Sequence, residues 1–184
     1  MKKFLQFSGL IAAVIAIVSF VLLLACPSMT VTTTFLGKTS VTEISGIYGI
    51  FGGKVLDSGW SWLDDNTALK ATPTAIIAFV LLIVAMVILI VGALLPILKI
   101  KALNKFAGLL NLIAVIALVV AGILVFIEVP CFAAAQSTAD YTYSTDYHAL
   151  GAGWLISGIC AIVAGVLAIM PAAADFLAKG KKRK

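Results

Sequence analysis

The chain has 184 residues, of which 62% are hydrophobic and only 11% charged, with a formal net charge of +5 and a mean hydropathy of +1.17. A soluble domain of this length is nearer half apolar and a quarter charged, and it exposes too much surface to hide so many apolar side chains from water. The same numbers exclude a disordered chain and, with three cysteines, a disulfide-dense secreted scaffold, so lipid is expected to be the solvent for most of the molecule.

Four apolar segments are long enough to cross a hydrocarbon core about 30 Å thick, which takes roughly 20 helical residues. None contains Asp, Glu, Lys, Arg or His between its end turns, and they cover residues 4–25, 74–98, 106–127 and 150–170. All five prolines lie at or near the edges of these segments, where a residue without an amide hydrogen is best tolerated: Pro27, Pro73, Pro96, Pro130 and Pro171. The pattern predicts an all-α membrane protein in which residues 1–184 form one four-helix transmembrane domain.

Basic residues predict the orientation of these spans. The N-terminus, the 99–105 link and the 171–184 tail hold ten of the thirteen Lys and Arg residues. Because basic residues are retained on the cytoplasmic face, we expect both termini inside and the loops 28–72 and 129–149 outside, in the cell membrane. The positive charge therefore does not indicate nucleic-acid binding.

The end of the tail is a candidate contact with anionic lipid. Each basic residue near such a leaflet adds roughly 1 kcal/mol of attraction, and the tail ends in Lys181, Lys182, Arg183 and Lys184.

The first outer loop, 28–72, begins with a predicted β-hairpin. Its first arm, 28–35, alternates β-branched residues, Leu36-Gly37-Lys38 is a turn signal, and 39–44 is a second extended run. Because an isolated hairpin is marginal in water, we expect it to rest on the outer ends of the helices.

Aromatic residues are frequent in both outer loops. Tyr and Trp favour the membrane interface, which accounts for these side chains and for Trp154 just inside the fourth span. The alternative is a surface that docks a partner, since these residues often anchor interfaces: Trp60, Trp62, Tyr141, Tyr143 and Tyr147. Asp140, Asp146 and His148 form at most a weak metal-ligand pattern, and a solvated loop is favoured.

The cysteines divide into two kinds. Cys26 and Cys131 each lie just outside a span on the outer side, so they are candidates for a disulfide between the two outer loops. The alternative is two unpaired thiols too far apart to be bridged. Cys160 lies in the middle of the fourth span and is expected to be a small packing residue.

Small residues recur at helical spacing within the spans. The fourth span carries a stripe at four-residue intervals, made of Gly153, Ser157, Ala161 and Gly165. Such stripes allow helices to approach closely in lipid, either within the chain's own bundle, which is favoured, or against a second protein. Asn111 is expected to hydrogen-bond across the bundle.

Groups that would carry catalysis are scarce, and we predict neither an enzyme nor a cofactor. One histidine excludes a haem held between paired helical histidines, and no Cys-x-x-Cys is present. No carboxylate lies in the middle of a span, where the usual proton-coupled exporter mechanism needs an ionisable group. Glu128 and Asp175 are at span edges and are expected to face solvent.

The layout resembles that of claudin-like four-helix proteins. Both have a long first outer loop with β character, a short inner link and a shorter second outer loop, and Gly59-Trp60-Ser61-Trp62 is the stretch nearest to the claudin first-loop motif. The resemblance implies a four-helix bundle with a small extracellular sheet. We expect a non-enzymatic protein that acts in assembly or adhesion, or as an accessory subunit, with itself or another membrane protein as partner. The alternative is a small oligomeric channel or transporter subunit.

Overall fold

The computed structural model describes residues 2–54, 68–98, 107–137, 146 and 148–180. It contains four helices that are long and apolar enough to cross a membrane: α1 (Lys2–Ala25), α3 (Pro73–Leu98), α4 (Ala107–Phe126) and α6 (Ala152–Gly180). Three of them begin and end within two residues of the predicted spans. The predicted helical architecture with four apolar helices is confirmed.

The fourth helix runs further than the sequence indicated. We expected it to end at Met170, before Pro171, but α6 continues through this proline to Gly180. Proline removes one main-chain hydrogen bond from a helix interior and does not by itself end the helix when the following residues favour helix, as Ala172 and Ala173 do. The helix therefore extends beyond the predicted span 150–170.

The bundle is closed by small residues and covered by large ones. Adjacent helices pack as a ring in the order α1, α3, α4, α6, with α6 returning to α1. Alanines form much of the buried interior, including Ala12, Ala78, Ala121 and Ala164, whereas many Val, Ile and Leu side chains face outward. Short side chains let the helix axes approach, and the outward-facing branched side chains suit a lipid solvent.

A three-stranded antiparallel sheet covers the end of the bundle away from the chain termini, which we call the sheet end. Its strand order is β2-β1-β5, with β1 (Pro27–Phe35), β2 (Lys38–Ser45) and β5 (His148–Leu150). The hairpin is confirmed: Phe35 pairs with Lys38, so the turn is Leu36-Gly37 alone, with positive φ at both residues, 49° and 75°. This is the geometry of a type I′ turn, which matches the twist of the paired strands.

Shorter elements complete the sheet end. Helix α2 (Gly46–Phe51) follows the hairpin, and β3 (Gly53–Lys54) pairs with β4 (Ala68–Leu69) just before α3. Helix α5 (Glu128–Gln136) follows α4 after a turn at Ile127. Within the predicted outer loop 129–149, α5 and β5 are structured elements that the sequence pattern did not indicate.

Candidate functional site: the sheet end of the bundle

Strand β1 is fixed to the bundle by Ser28, which is fully buried. Its hydroxyl donates to the carbonyl of Ile44 at 3.1 Å, and its own carbonyl accepts a hydrogen bond from the amide of Gly151 at 2.9 Å. Gly49 of α2 lies directly against it, since a Cβ added to Gly49 would be 2.5 Å from the Ser28 hydroxyl oxygen. The base of the hairpin is therefore locked between α2 and the start of α6.

Trp154 joins the ends of α1 and α6. Its indole nitrogen donates to the carbonyl of Leu23 at 2.8 Å. This carbonyl is one of the last four of α1, which a helix leaves without an amide donor of its own. The side chain is fully buried. Trp154 therefore does not face lipid, and its indole holds two helix ends together.

A reciprocal serine pair joins α1 and α6 deeper in the bundle. The Ser19 hydroxyl donates to the Ser157 carbonyl at 2.9 Å, and the Ser157 hydroxyl donates to the Ser19 carbonyl at 2.8 Å. The two hydroxyl oxygens are 3.0 Å apart, and both residues are fully buried. Each polar side chain in this apolar interior is thus satisfied by the other.

The small-residue stripe of the fourth span faces the chain's own helices. Gly153 packs against the side chain of Cys26, and a Cβ at Gly165 would lie 2.9 Å from a methyl of Val119 on α4. Ser157 makes the serine pair, and Ala161 is buried. The stripe therefore closes the bundle. Elsewhere in the bundle, Gly92 of α3 packs against Asn111 of α4, whose amide oxygen is 3.0 Å from where a Cβ of residue 92 would stand.

All three cysteines are free thiols, so the structure does not contain the Cys26–Cys131 disulfide. The side chain of Cys26 is held against Gly153, whereas Cys131 lies on α5, which packs chiefly on α3, α4 and β5. The two thiols belong to different sides of the sheet end.

Glu128, the first residue of α5, is fully buried. Its Oε2 accepts a hydrogen bond from the Thr74 hydroxyl at 2.8 Å. Its Oε1 and the hydroxyl of Thr72, which is also fully buried, have no hydrogen-bond partner in the part of the chain that the structure describes. Burial raises the pKa of the Glu128 carboxyl from 4.5 to about 7, opposed in part by the Thr74 hydroxyl, which donates to it, and by the Thr72 hydroxyl, which lies near it without hydrogen-bond geometry.

The expectation that Glu128 faces solvent is therefore wrong. Its contact with the two threonines could have been predicted from the sequence. Thr72 and Thr74 flank the start of the second span, and Glu128 follows the end of the third. Because consecutive spans joined by a short link are antiparallel neighbours, those ends meet.

Helix α5 is also tied to the segment before α3. The Gln136 side chain accepts a hydrogen bond from the Lys70 amide at 3.0 Å and donates one to the Lys70 carbonyl at 2.8 Å, as a paired strand would. The ring centroid of Phe132, also on α5, lies 6.5 Å from that of His148 in β5, and burial lowers the pKa of His148. Sequence reasoning did not identify Gln136, because an isolated polar residue gives no signal of its partner.

The distal hairpin is the most exposed part of the sheet end. Residues 38–43 of β2 are all exposed, and Leu36 at the turn is 89% exposed. Within the described ranges, strand β5 pairs with residues 29–31 of β1, and beyond those residues the hairpin is a two-stranded ribbon.

The remaining predicted surface residues lie outside the described part of the chain. They are Trp60, Trp62, Tyr141, Tyr143, Tyr147, Lys181, Lys182, Arg183 and Lys184. Their proposed contacts with partners or lipid stay predictions.

Comparison with known protein families finds no matching family, and comparison with curated proteins finds no significant relative.

Proposed function

We propose that this protein is a non-enzymatic multi-pass membrane protein that acts in assembly or adhesion, or as an accessory subunit, through its sheet end. The sheet end faces the outside of the cell membrane and both termini are cytoplasmic in this proposal. The basic residues at the termini and in the 99–105 link support that orientation. The proposal also draws on the resemblance of the sequence layout, with its long first outer loop and short inner link, to that of claudin-like proteins.

The observation that carries the proposal is the projecting hairpin. Among the described residues the outer edge of β2 has no strand partner, and unpaired edge N–H and C=O groups are a ready template for another chain. Val41 in the middle of β2 is 59% exposed, and the base of the hairpin is locked to the bundle through Ser28. The hairpin therefore offers a rigidly mounted surface beyond the helices.

In this proposal the small-residue stripe packs the chain's own helices and does not contact a partner. Because Gly153, Ser157, Ala161 and Gly165 pack inside the bundle, the proposed partner contact rests on the outer segments.

Site-specific photo-crosslinking in native membranes tests this proposal. A photoreactive amino acid at Val41 is expected to give a discrete adduct of higher mass, with a second copy or another membrane protein. The matched control is the same probe at Ile116, which is 56% exposed on the outward face of α4. Only monomer from the Val41 probe, or the same adducts from both positions, would contradict the proposal, as would selective solute flux through vesicles containing the purified chain.

A further inference from the structure

The buried carboxyl of Glu128 has no cationic side chain on the helices around it. It packs with α5 against α3 and α4, and the sequences of these three helices contain no Lys, Arg or His. Basic residues on adjoining segments include Lys70, which is exposed and bonded through its main chain to Gln136, and His148, whose ring lies beside Phe132. Neither forms an ion pair with Glu128 in the described part of the chain.

An ionised carboxylate in such a place needs compensation. One hydrogen bond from Thr74 is too little, because the effective penalty for burying a charged group is several kcal/mol even after relaxation. The compensating charge has to come from a proton or from a bound cation.

The side-chain polar atoms that the described residues are shown to place at the carboxyl are oxygens. Thr72 Oγ1 and Glu128 Oε1 are both fully enclosed and both lack a hydrogen-bond partner within the described residues, and Thr74 holds the second carboxyl oxygen in place. Hard cations prefer such carboxylate and hydroxyl oxygens, and they commonly complete their coordination with water or main-chain carbonyls.

We propose that Glu128, Thr72 and Thr74 form a binding site for one monovalent cation at the junction of α3 and α5. A single carboxylate supplies one negative charge, so a monovalent ion leaves the site neutral, whereas a divalent ion would leave a buried positive charge. The proton is the competitor of the ion, since both neutralise the same group. The inference concerns a bundle contact and holds whether or not the proposed function is correct.

The site joins two elements that the bound ion would fasten together. Thr72 stands at the start of α3, where its carbonyl accepts the first helical hydrogen bond from Ile76 at 3.1 Å, and Glu128 begins α5. Sodium binding is therefore expected to stabilise the sheet end by linking the start of α3 to the helix that follows α4.

Thermal unfolding of the full chain in lipid nanodiscs tests the site with sodium itself as the probe. At pH 8 the melting temperature in about 150 mM NaCl should exceed that in equal N-methyl-D-glucamine chloride by about 2–4 °C, the shift for an ion in roughly five-fold excess over its Kd. At pH 5.5 the difference should shrink, because the proton then occupies the carboxyl.

Two variants and a matched control sharpen the test. Glu128→Gln should abolish the sodium response, Thr72→Val should weaken it while keeping the carboxyl, and Glu43→Gln, which neutralises an exposed carboxylate on β2, should keep it in full. If Glu128→Gln does not fold, Thr72→Val decides the matter. Equal melting temperatures in the two salts, a response that survives in Glu128→Gln, or stabilisation by calcium but not by sodium would each overturn the proposal.

Discussion

Removing one hydroxyl of the serine pair tests how α1 and α6 are held together. In Ser19→Ala the Ser157 hydroxyl keeps its 2.8 Å bond to the Ser19 main-chain carbonyl, so no donor is left unsatisfied. The loss is one hydroxyl–carbonyl bond of 2.9 Å and the 3.0 Å contact between the hydroxyls. Interhelical hydrogen bonds of this kind contribute about 0.6–1 kcal/mol in membrane proteins.

The expected shift follows from that free energy. For a chain of this length, 1 kcal/mol lowers the melting temperature by about 2–4 °C, so Ser19→Ala and Ser157→Ala should each lower it by about 1–4 °C. Because the 3.0 Å contact between the hydroxyls is already lost in either single variant, Ser19→Ala/Ser157→Ala should cost somewhat less than the sum of the two.

Circular dichroism melts of the purified protein in one lipid system measure these shifts. Val21→Ala is the matched control, since it truncates a side chain of α1 that is 52% exposed on the outer face of the bundle. Single serine variants that melt with the control would refute this account of the α1–α6 contact. A double variant far less stable than the sum would refute the independence of the two bonds.

Three further predictions concern the sheet end. In sodium-free buffer the folded-state pKa of Glu128 is raised from 4.5 to about 7, so its stability contribution is complete below pH 4.5 and is lost as the pH rises towards 7. Denaturant unfolding should show a loss of about 3 kcal/mol over this range, and a flat profile for Glu128→Gln; an equal pH response in both proteins would contradict the assignment. Leu36→Asn should stabilise the hairpin by about 1 kcal/mol, because asparagine tolerates positive φ, and amide hydrogen exchange of the turn should slow; unchanged exchange would argue against the type I′ turn. Gly153→Ala should lower stability by about 1–3 kcal/mol through collision with the Cys26 side chain. Cys26→Gly in the same chain should restore much of the loss of melting temperature, and failure to do so would place the collision elsewhere.

The helices and the hairpin were predictable because their signals are local. Each span is a long uninterrupted apolar segment, and α3 begins at Pro73 as its proline suggested. The hairpin is indicated by alternating β-branched residues on either side of Leu36-Gly37, and strand register follows once the turn is fixed.

The remaining features depend on contacts between distant segments. Helix α5 is short and was hidden by the proline at its third position, and β5 is three residues long and exists because it pairs with Met29–Val31 of β1. The burial of Glu128 follows from the packing of α5 over the ends of α3 and α4, which hydropathy along one segment does not reveal. The sequence predicts a helix end at Pro171, whereas α6 continues through it. Whether a proline ends a helix depends on the surrounding packing, which the sequence does not show.

Strand β1 is the central strand of the sheet, so it links the hairpin to the segment that contains β5. Strand β1 pairs with β2 on one edge and with β5 on the other. At its base, the carbonyl of Ser28 accepts a hydrogen bond from the amide of Gly151, one residue before α6 begins. A force applied at the hairpin tip is therefore transmitted along β1 to the first turn of α6. A partner that tilts the ribbon must break the three β1–β5 residue pairs or shift that helix relative to α1.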